Sequence, residues 1–137
     1  MGLARPREPL TKTLGPPPAL PLFVYGTLLD TEFAARLLEK PVEAEAARLL
    51  DFELLRLEGL AFPTVFGAPG DVVEGNLYRR LTGEDYARLD AYEGVHEGLY
   101  VRIKARAVAG EAGSGGAPEP AFVYVVTEKT LRRYGAL

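Results

Sequence analysis

A chain with no cysteine and a single histidine, His96, has few groups that can move protons near neutral pH. Thiol nucleophiles, thiolate metal sites and disulfides are excluded, and one imidazole argues against a multi-histidine metal site or a Ser-His-Asp triad. Acid–base chemistry then falls to carboxylates, tyrosine or lysine. Among the carboxylates, Glu93 falls at a predicted helix end. Thr82-Gly83-Glu84-Asp85 reads as a helix start, with Thr82 as cap and two acids at the positive end of the macrodipole. Tyr86, Leu89 and Tyr92 or Glu93 follow at helical spacing, and Gly94 reads as the stop. In the last turn the negative end of the macrodipole disfavours an ionised acid by ~0.3–1 kcal/mol. Partial burial beside Tyr25 or Tyr92 would raise the Glu93 pKa further. One such carboxylate can serve first as base and then as acid. By pattern alone, a solvated helix-end glutamate is the commoner reading.

A second group is Tyr25, Gly26, Thr27 and Leu28. Leu22-Phe23-Val24-Tyr25 is a short apolar run closed by Gly26-Thr27, which predicts a strand entering a tight turn. Successive N–H groups in such a turn can form an anion nest, and Gly26 permits close approach of a ligand. The alternative is an ordinary strand-ending turn, with Tyr25 as a core aromatic whose hydroxyl is bonded. Arg102 offers bidentate pairing with a carboxylate, or is a solvent-facing strand residue; Tyr100 is open in the same way. Asp90 either braces the loop holding Glu93 or pairs with an arginine. His96 reads as a surface residue.

These residues need elements to hold them. The 137 residues are 47% hydrophobic and 26% charged, enough for one globular domain with one core. Residues 1–21 hold six prolines and few large apolar groups, so they read as an extended or disordered arm, and the domain as residues 22–137. Thr31 to Glu39 predicts a helix stopped by Pro41. Val42 to Leu57 favours strands in a meander or hairpin, although Ala44 to Leu50 suits a helix as well. Gly59, Pro63, Gly67, Pro69 and Gly70 mark a loop-rich middle around a short strand Thr64-Val65-Phe66. Val72 to Arg80 and Tyr100 to Val108 alternate as strands, and Ala121 to Val126 is the expected antiparallel partner of the latter. Gly110 to Pro120 reads as a poorly ordered connection. The sum is about six short strands and two helices, an α+β fold with a curled or barrel-like, mostly antiparallel sheet.

The net charge of −3 provides no basic field for phosphate backbones, so nucleic acid is not an expected partner. No apolar run approaches the ~20 residues of a membrane span, and the proline-broken N-terminus lacks the apolar core of a secretory signal. A cytoplasmic location fits. Gln is absent and Asn occurs only at position 76, which suits a thermophile, while a GC-rich genome would give the same Arg and Ala bias.

Taken together, Phe23-Val24-Tyr25-Gly26-Thr27-Leu28 and a second segment, Leu89-Asp90-Ala91-Tyr92-Glu93-Gly94 followed by Gly98-Leu99-Tyr100-Val101-Arg102, resemble the gamma-glutamylcyclotransferase-like family, which includes AIG2-like and butirosin-type members. Phe62-Pro63-Thr64-Val65 and Val73-Glu74-Gly75-Asn76-Leu77-Tyr78 sit where that family carries two further segments. Each motif is weak alone; four in order, from Leu22 to about Val126, are specific. The resemblance implies a six-stranded, partly closed barrel with flanking helices. It implies a small-molecule gamma-glutamyl substrate and release of 5-oxoproline and a free amine, with no metal or cofactor. It assigns substrate binding to the backbone of Tyr25, Gly26, Thr27 and Leu28, acid–base catalysis to Glu93, and a pocket border to Tyr100 and Arg102. Many members carry Glu where this chain has Asn76, which bears on the leaving group accepted. A non-catalytic protein binding a small anion on the same scaffold is the alternative; a carboxylate at Glu93 favours the enzyme.

Overall fold

The computed structural model describes residues 19–110 and 116–135. Most of the proline-rich arm and the middle of the Gly110 to Pro120 connection lie outside them. Five strands close into a barrel in the order β1-β3-β2-β4-β5: β1 (Leu22–Val24), β2 (Glu43–Leu55), β3 (Thr64–Arg79), β4 (Tyr100–Ala109) and β5 (Pro118–Val126). All neighbours are antiparallel except β1 and β5, whose parallel seam rests on Leu22 opposite Phe122 and on the Phe122 N–H donating to the Pro21 carbonyl at 2.8 Å. The α+β barrel expected from sequence is therefore present, with five strands and full closure in place of about six strands and partial closure. Among the described residues, no helix is long and apolar enough to cross a membrane.

The strand count changes because two expected strands are one. Thr64 to Phe66 and Val72 to Arg79 belong to a single β3 that pairs with β2 along its whole length. Residues 68–71 face the single residue Asp51, where the register shifts. Asp51 takes a left-handed backbone (φ 67°), and its carboxylate accepts the Gly70 N–H at 2.9 Å. The side chain thus supplies an acceptor where the ladder is interrupted, and the ribbon twists without ending. The same pairing resolves residues 44–50 as strand.

The barrel interior is filled by Phe23, Ala47, Leu49, Val65, Val73, Leu77, Ala107, Ala121 and Val123. Three alanines in that set let a small barrel close around the large Phe23 and leucines. Gly75 serves the same end: a Cβ there would lie 2.2 Å from the Val24 carbonyl oxygen. A second apolar cluster lies under the helices and includes Leu22, Val24, Leu28, Ala34, Leu38, Tyr78, Tyr86, Leu89 and Tyr124. β1 is buried on both faces because it separates the two layers, which explains a continuous Leu-Phe-Val run. Tyr78 points to this second layer, not to solvent, and its hydroxyl donates to the Leu28 carbonyl.

Three α-helices flank the barrel: α1 (Thr31–Leu38), α2 (Gly83–Tyr92) and α3 (Glu128–Arg133). Asp30 caps α1 by accepting from the Glu32 and Phe33 amides at 3.0 and 3.1 Å. Thr82 and Asp85 form a reciprocal capping box on α2, and Lys40 pairs with Asp85. α3 was absent from the sequence reading; it is a six-residue helix, too short for a periodic stripe, started by Thr127. Ala19 to Pro21, assigned to the arm from sequence, already pack on the domain: Ala19 touches the outer cluster, and the Leu20 carbonyl accepts the Tyr86 hydroxyl at 2.6 Å.

Candidate active site

Two chain reversals meet at one end of the barrel. The first follows β1. Tyr25 and Gly26 lead into a 3-10 turn, Thr27–Leu29, closed by Leu29 N–H to Gly26 C=O at 2.8 Å. The first N–H groups of such a turn have no acceptor within it. Here those are the amides of Gly26, Thr27 and Leu28. The Tyr78 hydroxyl holds the Leu28 carbonyl from below, so the turn rests on the buried layer.

The second reversal ends α2. Glu93 is its C-cap, with its N–H bonded to the Leu89 carbonyl at 2.9 Å. Gly94 follows at φ 70°, a conformation that L side chains rarely adopt, and a Cβ there would lie 2.7 Å from Leu99. The chain then folds back through Val95 N–H to Asp90 C=O and Leu99 N–H to Gly94 C=O, at 2.9 and 3.0 Å. Glu93 is thus held on a backbone bonded on both sides.

Both reversals line one cavity of about 310 Å³, within the range of small-molecule sites. Tyr25, Gly26, Thr27, Leu28, Glu93 and Tyr100 all border it, so six of the seven residues singled out from sequence converge. Glu93 is partly buried and, among the described residues, forms no ion pair and no side-chain hydrogen bond. Its pKa is pushed up to about 7 because burial penalises the charged form. The phenols of Tyr25, Tyr100 and Tyr124 stand well above the usual tyrosine range, burial being the largest cause for each and the nearby Glu93 charge adding to it. They are neutral hydroxyls at any physiological pH. The Tyr25 hydroxyl donates to the Tyr124 carbonyl at 2.7 Å; the fully buried Thr64 hydroxyl beside it has no hydrogen-bond partner among the described residues.

Arg102 is the residue that does not join the cavity wall. It lies on the helix-facing side of β4, bidentate to Asp90 at 3.1 and 3.2 Å, with its guanidinium over the rings of Tyr86 and Phe122 at 4.4 and 4.6 Å. Its expected place at the pocket border is corrected to a brace behind it. Tyr100 and Arg102 share a face of β4, but Tyr100 is the first residue of the strand, at the cavity end, whereas Arg102 lies two residues further along, where Asp90 holds it. Asp90 also accepts the Tyr124 hydroxyl at 2.5 Å. Arg102 therefore reaches the cavity only through Asp90 and Tyr124. Asn76 pairs with Val24 across the β1–β3 ladder and does not line the cavity.

Sequence reasoning did not single out Phe62, Pro63, Tyr92, Leu99, Tyr124, Thr130 or Tyr134 as site residues, and all seven line the cavity. The Phe62-Pro63 pair lay inside a quoted motif and was the available signal. Thr130 lies in α3 and Tyr134 caps it, and no local pattern announces how that helix docks.

The cavity and its two reversals fall within residues 22–136, which match the family model described as gamma-glutamyl cyclotransferase, AIG2-like. Curated relatives from Arabidopsis thaliana include AIG2-like protein C, 32% identical over 77 residues covering 56% of this chain and 45% of that protein. AIG2-like protein D is 30% identical over 74 residues, covering 54% and 49%. The chain thus spans about half the length of these relatives. A solved structure titled gamma-glutamyl cyclotransferase superposes with a TM-score of 0.63 at 27% identity, over 79% of this chain and 66% of that one.

Proposed function

The chain belongs to the gamma-glutamyl cyclotransferase, AIG2-like family, and on that premise we propose that it converts a gamma-glutamyl amine or peptide to 5-oxoproline and a free amine, with Glu93 as general base and acid. One observation carries the reading: a carboxylate with a pKa of about 7, unpaired among the described residues, shares a cavity with a turn of backbone amides.

The reaction is an intramolecular aminolysis. The substrate's α-ammonium lies against Glu93 and gives it a proton. The freed amine attacks the gamma-carbonyl carbon, a new C–N bond closes a five-membered ring, and the carbonyl oxygen takes negative charge. Glu93 then returns that proton to the departing nitrogen as the old C–N bond breaks, and relays to it a second proton from the ring nitrogen. Of the three ammonium hydrogens, one stays on the lactam nitrogen and two end on the departing amine, which leaves as an ammonium ion. Glu93 starts and finishes ionised. A base with a pKa close to the working pH is suited to both transfers.

The rest is positioning. The substrate must fold so that its own amine and carbonyl meet, and oriented attack of this kind can supply ~7–11 kcal/mol of barrier reduction. Among the described residues, Glu93 is the only charged side chain on the cavity wall. A substrate carboxylate or developing oxyanion is therefore assigned to the amides of Gly26, Thr27 and Leu28. The neutral hydroxyl of Tyr100 is a further donor.

The test is release of 5-oxoproline from a panel of gamma-glutamyl amines, gamma-glutamyl dipeptides and gamma-glutamyl-ε-lysine, comparing wild type with Glu93→Gln. Turnover lost in a folded variant is the expected result. Wild type inactive on the whole panel, yet stabilised by small carboxylates in a thermal-shift screen, would replace the enzyme with an anion-binding protein.

A further inference from the structure

Among the described residues, the cavity wall apart from Glu93 and the turn is largely aromatic and carries no charge. The Phe62 and Tyr100 rings face each other with centroids 6.1 Å apart. Tyr92 closes α2 and Tyr134 caps α3; they are 43% and 49% exposed, so they stand where the cavity meets solvent. Among the described residues, no basic side chain lines the cavity. Lys129 donates to the Glu97 carbonyl at 2.8 Å, Arg132 pairs with Glu128 at 2.6 Å, and Arg102 is held by Asp90. Arg133, next to Tyr134 in sequence, is exposed and outside the lining.

This wall has a consequence for the amine that leaves, and the consequence rests on the cyclotransfer reading above. The glutamyl half of the substrate uses the two polar features, its ammonium on Glu93 and its carboxylate on the turn amides. Whatever is attached to the gamma-nitrogen then meets rings. An amino acid attached there brings a second carboxylate, which would find no cation among the described wall residues and a like charge in Glu93. Burying such a group without a partner is strongly unfavourable. A flat apolar group instead gains ring contacts in offset or edge geometry. On departure the amine becomes an ammonium ion, which aromatic faces also tolerate.

We propose that the preferred substrate is a gamma-glutamyl arylalkyl amide, its aromatic group held by Phe62, Tyr100 and Tyr134, and that amino acids are disfavoured as leaving groups.

A matched pair tests this. Gamma-glutamyl-phenethylamide and gamma-glutamyl-phenylalanine differ by one carboxylate. The amide should exceed the amino acid conjugate in kcat/KM by ~10- to 100-fold, the effect of leaving one charged group without its partner. Tyr134→Lys places a cation at the mouth and should narrow the ratio, chiefly by improving the phenylalanine conjugate. Gamma-glutamyl-ethylamide, which lacks the ring, should be a poorer substrate than the phenethylamide. Equal rates for the matched pair, or a preference for the phenylalanine conjugate, would overturn the proposal; parity of ethylamide and phenethylamide would overturn its aromatic part. Calorimetric binding of the same ligands separates this from the reaction itself. Tighter binding of the phenethylamide with no turnover of either would sink the cyclotransfer reading and retain the pocket preference. Binding of neither would sink both.

Discussion

Replacing Glu93 by Gln should make the protein more stable at neutral pH while abolishing its proposed chemistry. The native carboxyl has a pKa of about 7 against an ordinary value of 4.5, and burial is the cause. Below pH 4.5 the group is neutral in both the folded and the unfolded chain, so it takes nothing from stability. Between 4.5 and about 7 the unfolded chain ionises while the folded one holds its proton, so stability falls as pH rises. Above 7 both are ionised and the penalty is complete. A gap of about 2.5 in pKa corresponds to about 3 kcal/mol at ~1.4 kcal/mol each. Gln is neutral throughout and close in shape to the protonated acid, so it escapes the penalty. Urea unfolding of both proteins from pH 4 to 8 measures the effect. The curves should nearly coincide at pH 4 and diverge steadily to about 3 kcal/mol at pH 8, equivalent to roughly 10 °C in Tm for a domain of this size. A difference that does not change with pH would refute the reasoning, because it would place an ordinary solvated carboxylate at position 93.

The pH dependence of turnover follows from the same group: kcat/KM should rise through an apparent pKa near 7 as Glu93 ionises, and an acid limb near 4.5 would contradict this. Arg102→Met should lower stability by ~1–3 kcal/mol by leaving Asp90 without its charged partner, yet keep KM within about twofold, whereas a substrate-binding arginine would raise KM far more. Tyr78→Phe removes the bond that holds the Leu28 carbonyl and should cost ~1–3 kcal/mol, measured by denaturant unfolding, with KM rising as the turn loosens. Gly75→Ala would drive a Cβ to 2.2 Å from the Val24 carbonyl and 2.6 Å from the Phe23 ring, so soluble folded protein should be lost or its Tm should drop sharply.

Local chemistry made several elements readable. The Thr82 cap, the helical spacing that follows it and the stop at Gly94 placed Glu93 at a helix end, and the structure keeps those limits. The apolar run before Gly26 announced β1 and its turn. Other elements depended on partners distant in sequence. Gly67, Pro69 and Gly70 read as loop because nothing local reveals that Asp51, nineteen residues before Gly70, offers the acceptor that carries β3 through. Whether residues 44–50 were strand or helix was decided by pairing with β3 and β4.

The residue types by themselves determined which chemistry was open to this chain: with no cysteine and one histidine, proton transfer fell to carboxylates, phenols or lysine. Local caps, stops and turns placed Glu93 at a helix end and a turn after β1, since they act over a few residues, and the family resemblance nominated both for the site. Only the closed barrel decided that these two, nearly seventy residues apart, share a cavity. It also decided that Arg102 braces that cavity from behind and that rings from Phe62 and from α3 complete its wall. Those outcomes depend on burial and on contacts across the barrel, which exist only once the strands have paired and the apolar layers have formed.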